Sequence, residues 1–202
     1  MPTEFLRPAG AADVDALLAL RVEAEKWLSS LGTDQWSDRE TGDRAIAKWR
    51  QSIDEGRTWV VTDADGKVLA TVSRGPVDWD FWQESDRPES AFYLYKLIVA
   101  RQASGRQLGA RLVDWASRVA ALEGRDWLRI DVWRTNIGLQ AYYERMGFKH
   151  VRVESPPHRR SGWLAQRAVN ALFLPDAPIV SRNSPYLPSQ KSDTGAPSPL
   201  PS

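Results

Sequence analysis

The sequence contains no cysteine, and only two of its 202 residues are histidine, His150 and His158. Without cysteine the chain can form no disulfide scaffold, no thiolate nucleophile, no iron–sulfur cluster and no Cys-ligated zinc site. Two histidines are too few for a His-rich metal centre. We therefore expect a protein that uses no metal ion.

Neither sign of charge dominates the chain, and no long apolar run occurs in it. Lys and Arg total 27 against 26 for Asp and Glu, so the net charge is +1. Because a nucleic-acid-binding protein usually has a basic excess, we expect no nucleic-acid partner. No apolar run reaches the length that spans a bilayer, and residues 1–4 lack a signal-peptide pattern. We expect a soluble cytoplasmic protein with no membrane partner.

Composition divides the chain into two parts. Hydrophobic residues make up 42% and charged residues 26%, a balance that suits one globular domain with a full core, and ten tryptophans predict aromatic-lined surfaces or pockets. The last 29 residues include seven prolines and six serines, too few apolar anchors to offset the entropy of ordering. We predict a folded domain at residues 3–173 and a disordered tail at residues 174–202. A proline-rich recognition peptide around residues 184–188 is the alternative interpretation of the tail.

Hydrophobic periodicity within the predicted domain indicates seven strands and four helices. Their order is strand, two helices, three strands, helix, strand, helix and two strands, which predicts an α+β (mixed α/β) fold. Two β-rich runs flank Ala64-Asp65-Gly66, a hairpin signal. The predicted strands are residues 3–7, 57–63, 67–73, 91–99, 127–133, 148–154 and 162–169, and the predicted helices are residues 11–30, 41–55, 107–123 and 136–146.

The loop after the strand at residues 91–99 has the features of an anion-binding site. It contains Gly105 and Gly109 and leads directly into a helix. The first turn of a helix offers unpaired N–H groups and a partial positive charge, and glycines let the backbone approach an anion closely. Three basic residues add long-range attraction: Arg101, Arg106 and Arg111. By itself the loop is equally compatible with an ordinary strand-to-helix turn.

A second motif, Asn136-Ile-Gly-Leu-Gln-Ala-Tyr-Tyr143-Glu-Arg-Met-Gly147-Phe148, begins 27 residues after Gly109. With the glycine loop and the order of elements, it resembles the GCN5-related N-acetyltransferase (GNAT) superfamily over about residues 3–170. In that family an apolar strand precedes a pyrophosphate loop of pattern Arg/Gln-x-x-Gly-x-Gly/Ala, and an Asn-x-x-Ala-x-x-x-Tyr-Glu-x-x-Gly-Phe run forms the last helix. The resemblance implies a central twisted, mostly antiparallel sheet that is splayed where the cofactor binds.

The resemblance also implies an activity, the direct transfer of an acetyl group from acetyl-CoA, as cosubstrate, to a primary amine. Tyr143 is implied as the general acid that protonates the departing thiolate, whereas Tyr142, on another side of the helix, is interpreted as packing. The implied cofactor contacts are the main chain of Leu97, Ile98 and Val99 for pantetheine, the N–H groups of Gly105, Arg106, Gln107, Leu108, Gly109 and Ala110 for pyrophosphate, and the side chain of Asn136 for pantetheine.

The loop departs from the family pattern in two places. With Gly109 aligned on the last glycine of the pattern, Ser104 stands where the family prefers Arg or Gln, and Gln107 stands where it prefers Gly. If the loop keeps its shape, we expect Gln107 to present its N–H without a backbone angle that only glycine adopts readily.

The resemblance places the acceptor between the first two helices, their linker and the loop before the strand at residues 91–99. Four aromatic residues are candidates for substrate contact: Trp36, Trp79, Trp82 and Tyr95. Residues 78–86 combine three large aromatics with four carboxylates, which suits an amine-bearing cation. The alternative is that these aromatics pack down on the sheet. The acceptor can be a small molecule or a protein amine, and a homodimer is left open.

No general base is evident, because residues 92–96 carry no acid. Asp131 and Glu25 are the candidates, and structural or solvated roles are the alternative for both. Two other functions compete with acetyl transfer. The chain could be a catalytically silent GNAT-fold module that binds CoA or regulates, or a nucleotide-binding protein of another fold, although it lacks the usual phosphate-loop and dinucleotide fingerprints.

Overall fold

Eight strands and four α-helices make up the described residues, 4–35 and 39–181 of the computed structural model. Seven of the strands and all four helices lie within a few residues of the elements that periodicity predicts, the eighth strand was not predicted, and the predicted α+β class is confirmed. The strands are β1 (Phe5–Pro8), β2 (Thr58–Thr62), β3 (Val68–Gly75), β4 (Ala91–Val99), β5 (Trp127–Trp133), β6 (Lys149–Val153), β7 (Ser161–Ala168) and β8 (Val180–Ser181). The helices are α1 (Val14–Ser30), α2 (Arg39–Asp54), α3 (Leu108–Leu122) and α4 (Ile137–Arg145).

All eight strands form one sheet in the order β6-β7-β5-β4-β3-β2-β1-β8. The β4–β5 and β1–β8 pairs are parallel, and the other pairs are antiparallel. The parallel β4–β5 pair needs a crossover connection, which α3 supplies. None of the helices in the described ranges has the length and apolar character that crossing a membrane requires.

Helices cover both faces of the sheet. Trp115 of α3 packs with its ring 5.0 Å from that of Trp59 in β2. Thr58, the neighbour of Trp59, is buried against Ser52 of α2 through a hydroxyl contact. Because successive residues of a strand point to opposite faces, α2 and α3 lie on opposite sides of the sheet. We call the side of α3 the α3 face and the side of α2 the α2 face.

A buried arginine ties α4 to the α3 face. Arg167 of β7 is buried, and its guanidinium donates to the Asp114 carboxylate at 2.8 Å, to Ser117 Oγ at 2.7 Å and to the Met146 carbonyl at 3.1 Å. Asp114 and Ser117 belong to α3, and Met146 directly follows α4. A buried charge requires such partners, because an unpaired one would be strongly destabilising. The Arg167–Asp114 ion pair and the hydrogen bond from Arg167 to Met146 therefore fix the position of α4 relative to α3.

Residues 174–181 belong to the folded domain, contrary to the predicted start of the tail at residue 174. The backbone N–H groups of Phe173 and Leu174 donate to the Asp114 carboxylate. Ile179 is only 4% exposed, and β8 pairs in parallel with the edge of β1. The proline-rich composition did not predict the order of this segment, because one buried apolar side chain and an open sheet edge are enough to order a short segment. Residues 182–202 of the predicted tail lie outside the described residues.

Candidate functional site

The central opening lies between β4 and β5. The two strands pair only from Ala91 to Tyr93 on β4, and the last partner on β5 is Arg129. Beyond that point β4 continues to pair with β3 on its other side, through Ile98 and Val99. The β5-facing edge of β4 from residue 94 to residue 99 therefore has no ladder partner in the described chain, so a ligand with amide groups can add to it as a strand would.

β4 itself is irregular at this opening. Its register with β3 shifts between Tyr95 and Ile98, and Lys96 adopts a left-handed φ of +51°. An extra residue of this kind is a β-bulge, which bends the strand and re-aims its side chains. The Lys96 ammonium lies 5.2 Å from the Trp49 ring of α2, and burial lowers the pKa of Lys96 to about 7, with nearby arginine and lysine charges adding to the shift.

Five unpaired backbone donors line the loop at one end of the opening. The N–H groups of the loop and first turn of α3 that donate to no acceptor within the described residues are those of Gly105, Gln107, Leu108, Gly109 and Ala110. The Arg106 N–H, by contrast, donates to the Ala103 carbonyl at 3.3 Å. Free N–H groups at a helix N-terminus form a cradle for an anion. Five of the six N–H groups predicted to bind pyrophosphate are therefore unpaired within the described residues.

The backbone of Gln107 differs from expectation. Gln107 is the N-cap of α3 with φ +57° and ψ +20°, in the left-handed region. Glycine enters this region at no steric cost, whereas other L-residues pay about 1–2 kcal/mol. The expectation that Gln107 avoids such an angle is therefore wrong. The loop keeps the glycine-like shape and stores the strain.

The three arginines near the loop are engaged to different degrees. Arg111 forms an ion pair with Glu4, which is itself buried. Arg106 is 3.5 Å from the same carboxylate, with its side chain 40% exposed. Arg101 stacks on the Trp27 ring at 4.3 Å. Arg106 and Arg101 can therefore still attract an anion from the surface of the loop, whereas the charge of Arg111 is largely neutralised.

Tyr143 of α4 is buried, with its ring 5.3 Å from that of Phe148. Its hydroxyl forms no hydrogen bond within the described part of the chain. Burial raises the pKa of Tyr143, and the charges of Tyr142 and Asp131 raise it further. The phenol therefore stays protonated throughout the neutral range, with its hydroxyl free to donate.

The Tyr142 side chain lies close to Gly109, in the first turn of α3. A Cβ atom built on Gly109 would lie 2.5 Å from the Tyr142 hydroxyl oxygen. That hydroxyl consequently rests over the first turn of α3, beside the free N–H groups. The sequence interpretation of Tyr142 as packing omitted this contact, because α3 and α4 meet only in the tertiary fold.

Asn136 has both ends of its side-chain amide engaged. Its Oδ1 accepts from the Leu139 N–H at 3.0 Å, as a helix N-cap does. Its Nδ2 donates to Gln35 Oε1 at 2.7 Å. This arrangement joins the N-terminus of α4 to the linker after α1, and it leaves the second N–H and the second oxygen lone pair of the amide for the predicted hydrogen bond to pantetheine. The neighbouring Asp34 accepts from the Trp133 indole at 2.8 Å and strengthens that junction.

The three predicted acceptor residues that the structure describes, Trp79, Trp82 and Tyr95, differ in their exposure. Trp82 is 2% exposed and lies under the Arg129 guanidinium at 4.5 Å, so its prediction as a substrate contact is wrong. Trp79 is 63% exposed. The Tyr95 hydroxyl donates to the Pro76 carbonyl at 3.0 Å while its ring lies beside the opening. Trp36 lies outside the described residues.

The carboxylates of the loop before β4 are paired with arginines. Arg159 contacts both Asp78 and Asp80 at 2.6 Å, and Arg152 contacts Asp86 at 2.7 Å. Hydrogen bonds from His158 and then Arg159 lower the pKa of Asp80, and those from Arg152 lower the pKa of Asp86. The burial of Trp82 fits the alternative in which the aromatics pack on the sheet, and three of the four carboxylates of this loop, those of Asp78, Asp80 and Asp86, are already paired.

The two candidate bases differ in their surroundings. Glu25 forms an ion pair with Arg21 one helical turn away, at 2.6 Å. Asp131 lies on β5 just past the last β4 partner, half-buried at the opening. Burial raises the pKa of Asp131. The i,i+4 spacing of Arg21 and Glu25 is the sequence signal that could have indicated the ion pair of Glu25.

Comparisons with known proteins agree on one family. The sequence profile of the acetyltransferase (GNAT) family matches residues 21–148. The uncharacterized N-acetyltransferase YesJ of Bacillus subtilis (strain 168) is 28% identical over 151 residues, which are 73% of this chain and 83% of that protein.

Solved structures share the fold. An acetyltransferase of the GNAT family from Listeria monocytogenes 4b F2365 has a TM-score of 0.66 at 24% identity, over 82% of this chain and 94% of that one. The PaiA N-acetyltransferase of Thermoplasma acidophilum, solved in complex with coenzyme A, has a TM-score of 0.61 at 15% identity, over 82% of this chain and 99% of that one.

Proposed function

Because the chain belongs to the acetyltransferase (GNAT) family, we propose that it transfers an acetyl group from acetyl-CoA to a primary amine. The observation that carries the proposal is the set of five free N–H groups at the N-terminus of α3, at one end of an opening whose other wall holds a buried tyrosine. Pyrophosphate fits the first feature, and a departing thiolate fits the second. The CoA complex of PaiA supports the same cosubstrate.

The loop and β4 hold the cosubstrate. The N–H groups of residues 105 and 107–110 bind the pyrophosphate, and the Arg106 side chain adds charge from the surface. The main chain of Leu97, Ile98 and Val99 binds the pantetheine amides along the edge of β4 that β5 leaves open. Asn136 caps α4 and so positions Tyr143, and the remaining N–H and lone pair of its amide hydrogen-bond the pantetheine.

The reaction is a direct attack of the amine on the thioester carbonyl. The neutral amine nitrogen forms a C–N bond and loses one proton, which passes to solvent, while the C–S bond breaks and the Tyr143 hydroxyl gives its proton to the sulfur. Because its pKa is raised, Tyr143 is protonated at the start of every cycle, and solvent returns its proton afterwards. Holding both reactants in the opening supplies the proximity part of the rate enhancement.

Calorimetric titration with acetyl-CoA, CoA and ATP tests the binding half of the proposal. A thiol-release assay with a panel of amines then tests transfer: an alkyl diamine, an amino acid, an aminoglycoside and a lysine peptide. We expect CoA binding and thiol release with at least one amine. CoA binding without transfer to any amine would favour a silent CoA-binding module, and ATP binding without CoA binding would contradict the assignment of the loop.

A further inference from the structure

Asp131 points into the opening from the α2 face. Leu128 of β5 pairs with Arg167, which faces α3, so Asp131, three residues later, points to the opposite face. Arg129 shares that face, and its guanidinium donates to the Tyr93 hydroxyl at 3.1 Å. By the same alternation Asp131 lies next to Tyr95, at the level where β4 and β5 have separated.

Tyr143 reaches the same place from the other side. It belongs to α4, which Arg167 holds on the α3 face. Burial is the largest cause of the raised pKa of both Tyr95 and Tyr143, and the negative charge of Asp131 raises both further. A thioester in the opening would have the Tyr143 hydroxyl on one side and the Asp131 carboxylate on the other.

Asp131 has no counter-ion within the described residues. Arg159, whose charge acts on Asp131, is already bound to Asp78 and Asp80. Burial raises the pKa of Asp131 most, and the charge of Asp78 adds to it. The Ser161 hydroxyl, the charge of Arg159 and the backbone N–H of Asp131 oppose the rise. A half-buried carboxylate without a counter-ion is stabilised by a nearby cation or by protonation. An amine substrate supplies a cation when it is protonated, or a proton when it reacts.

We propose that Asp131 is the carboxylate that binds the acceptor amine and takes its proton. The inference rests on the proposed function and adds the missing base. As the amine nitrogen bonds to the acetyl carbon, its N–H proton passes to the Asp131 carboxylate, while the C–S bond breaks and Tyr143 protonates the sulfur. The products are the N-acetylated amine and the free thiol of CoA. Asp131 then releases its proton to solvent.

The acceptor therefore enters from the α2 face, between β4 and the linker after α1. Trp133, two residues after Asp131, lies on this face and donates its indole N–H to Asp34 of that linker at 2.8 Å. Asp131 must be ionised to act, so kcat/KM falls as the pH drops through its pKa. Because that pKa is raised, the acid limb lies above about 4, the ordinary value for aspartate.

The first test needs no acceptor. Protein labelled with carbon-13 in its aspartate carboxyl groups is titrated by NMR in the presence of CoA, and the Asp131 signal is assigned through its bonded backbone nuclei. We expect a titration midpoint above about 4 for this carboxyl. A midpoint at or below that value would overturn the proposal, since such a group would be a poor proton acceptor near neutral pH.

The second test compares Asp131→Asn with Asp126→Asn, an exposed carboxylate just before β5. With an amine that the wild-type protein acetylates, we expect Asp131→Asn to lower kcat/KM by about 10²–10⁴-fold and to remove the Asp131 ionisation from the acid limb, which then reports only protonation of the amine, with an unchanged Kd for CoA. Asp126→Asn keeps both. An Asp131→Asn protein that retains the wild-type rate and acid limb overturns the inference alone, whereas a wild-type protein that acetylates no amine overturns the proposed function and the inference together.

Discussion

Gly109 offers a sharp test of how the cosubstrate loop meets α4. It is the second residue of α3, and a Cβ built there would lie 2.5 Å from the Tyr142 hydroxyl oxygen but 3.6 Å from Tyr142 Cζ. The first separation is a clash and the second is an ordinary van der Waals contact. The hydroxyl alone therefore excludes a side chain at position 109.

These two distances determine whether Gly109→Ala lowers or raises the free energy of unfolding, with Tyr or with Phe at position 142. With Tyr142 in place, Gly109→Ala must displace a tyrosine that packs against Tyr143 at 5.6 Å, a steric cost of about 1–3 kcal/mol. In the Tyr142→Phe background the clash is gone, and Ala in a helix is worth about 0.5–1 kcal/mol over Gly. We expect Gly109→Ala to lower the free energy of unfolding in the first background and to raise it in the second.

Urea unfolding of the four proteins in this double-mutant cycle measures the coupling. Equal effects of Gly109→Ala in both backgrounds would refute the reasoning, because the glycine would then be required by something other than Tyr142. A CoA titration separates the remaining role of the loop. We expect the double variant to bind CoA with the Kd of Tyr142→Phe alone, because the added Cβ points at α4 and Val99 rather than at the free N–H groups.

Three further predictions concern the acid, the loop and the C-terminal segment. Tyr143→Phe is expected to lower kcat by about 10²–10⁴-fold where chemistry limits turnover, with CoA affinity kept; Tyr142→Phe is the matched control, and an equal loss of kcat in both would remove Tyr143 from the mechanism. Gln107→Gly is expected to raise the free energy of unfolding by about 0.5–1 kcal/mol, since relief of left-handed strain exceeds the entropic cost of glycine; a urea midpoint below wild type would contradict this. Truncation after Phe173 is expected to lower Tm relative to truncation after Ser181, because it removes the buried Ile179, worth about 1.5–3 kcal/mol; identical melting curves would show that residues 174–181 add nothing.

Local sequence pattern was sufficient for the elements and the loop. The apolar run of β4 was predicted at its observed bounds, Ala91–Val99, because strand formation depends on a pattern that a few neighbouring residues carry. The glycine loop and the helix that follows it were predicted for the same reason, since turn and capping chemistry acts within a few residues. The helix predicted at residues 136–146 is likewise observed, at Ile137–Arg145.

Contacts between distant segments could not be predicted from the sequence, because no local pattern encodes them. The burial of Trp82 under Arg129 follows from how the loop before β4 folds back on the sheet. The pairing of Asn136 with Gln35, 101 positions apart, depends on where the linker after α1 meets α4. Such contacts are decided by packing, and composition alone had assigned Trp82 to a substrate site.

The candidate catalytic residues also differ in whether the sequence alone could identify them. Tyr143 could be named from the sequence because its motif lies within one helix and the turn that follows it. Asp131 and Glu25 both remained candidates there, although the i,i+4 spacing of Arg21 and Glu25 on one helix already allowed a local ion pair. Only the tertiary structure leaves Asp131 half-buried, without a counter-ion in the described residues, at the place where β4 and β5 part. The desolvation that raises the pKa of a carboxylate comes from every segment packed around it, so it exists only once the chain has folded.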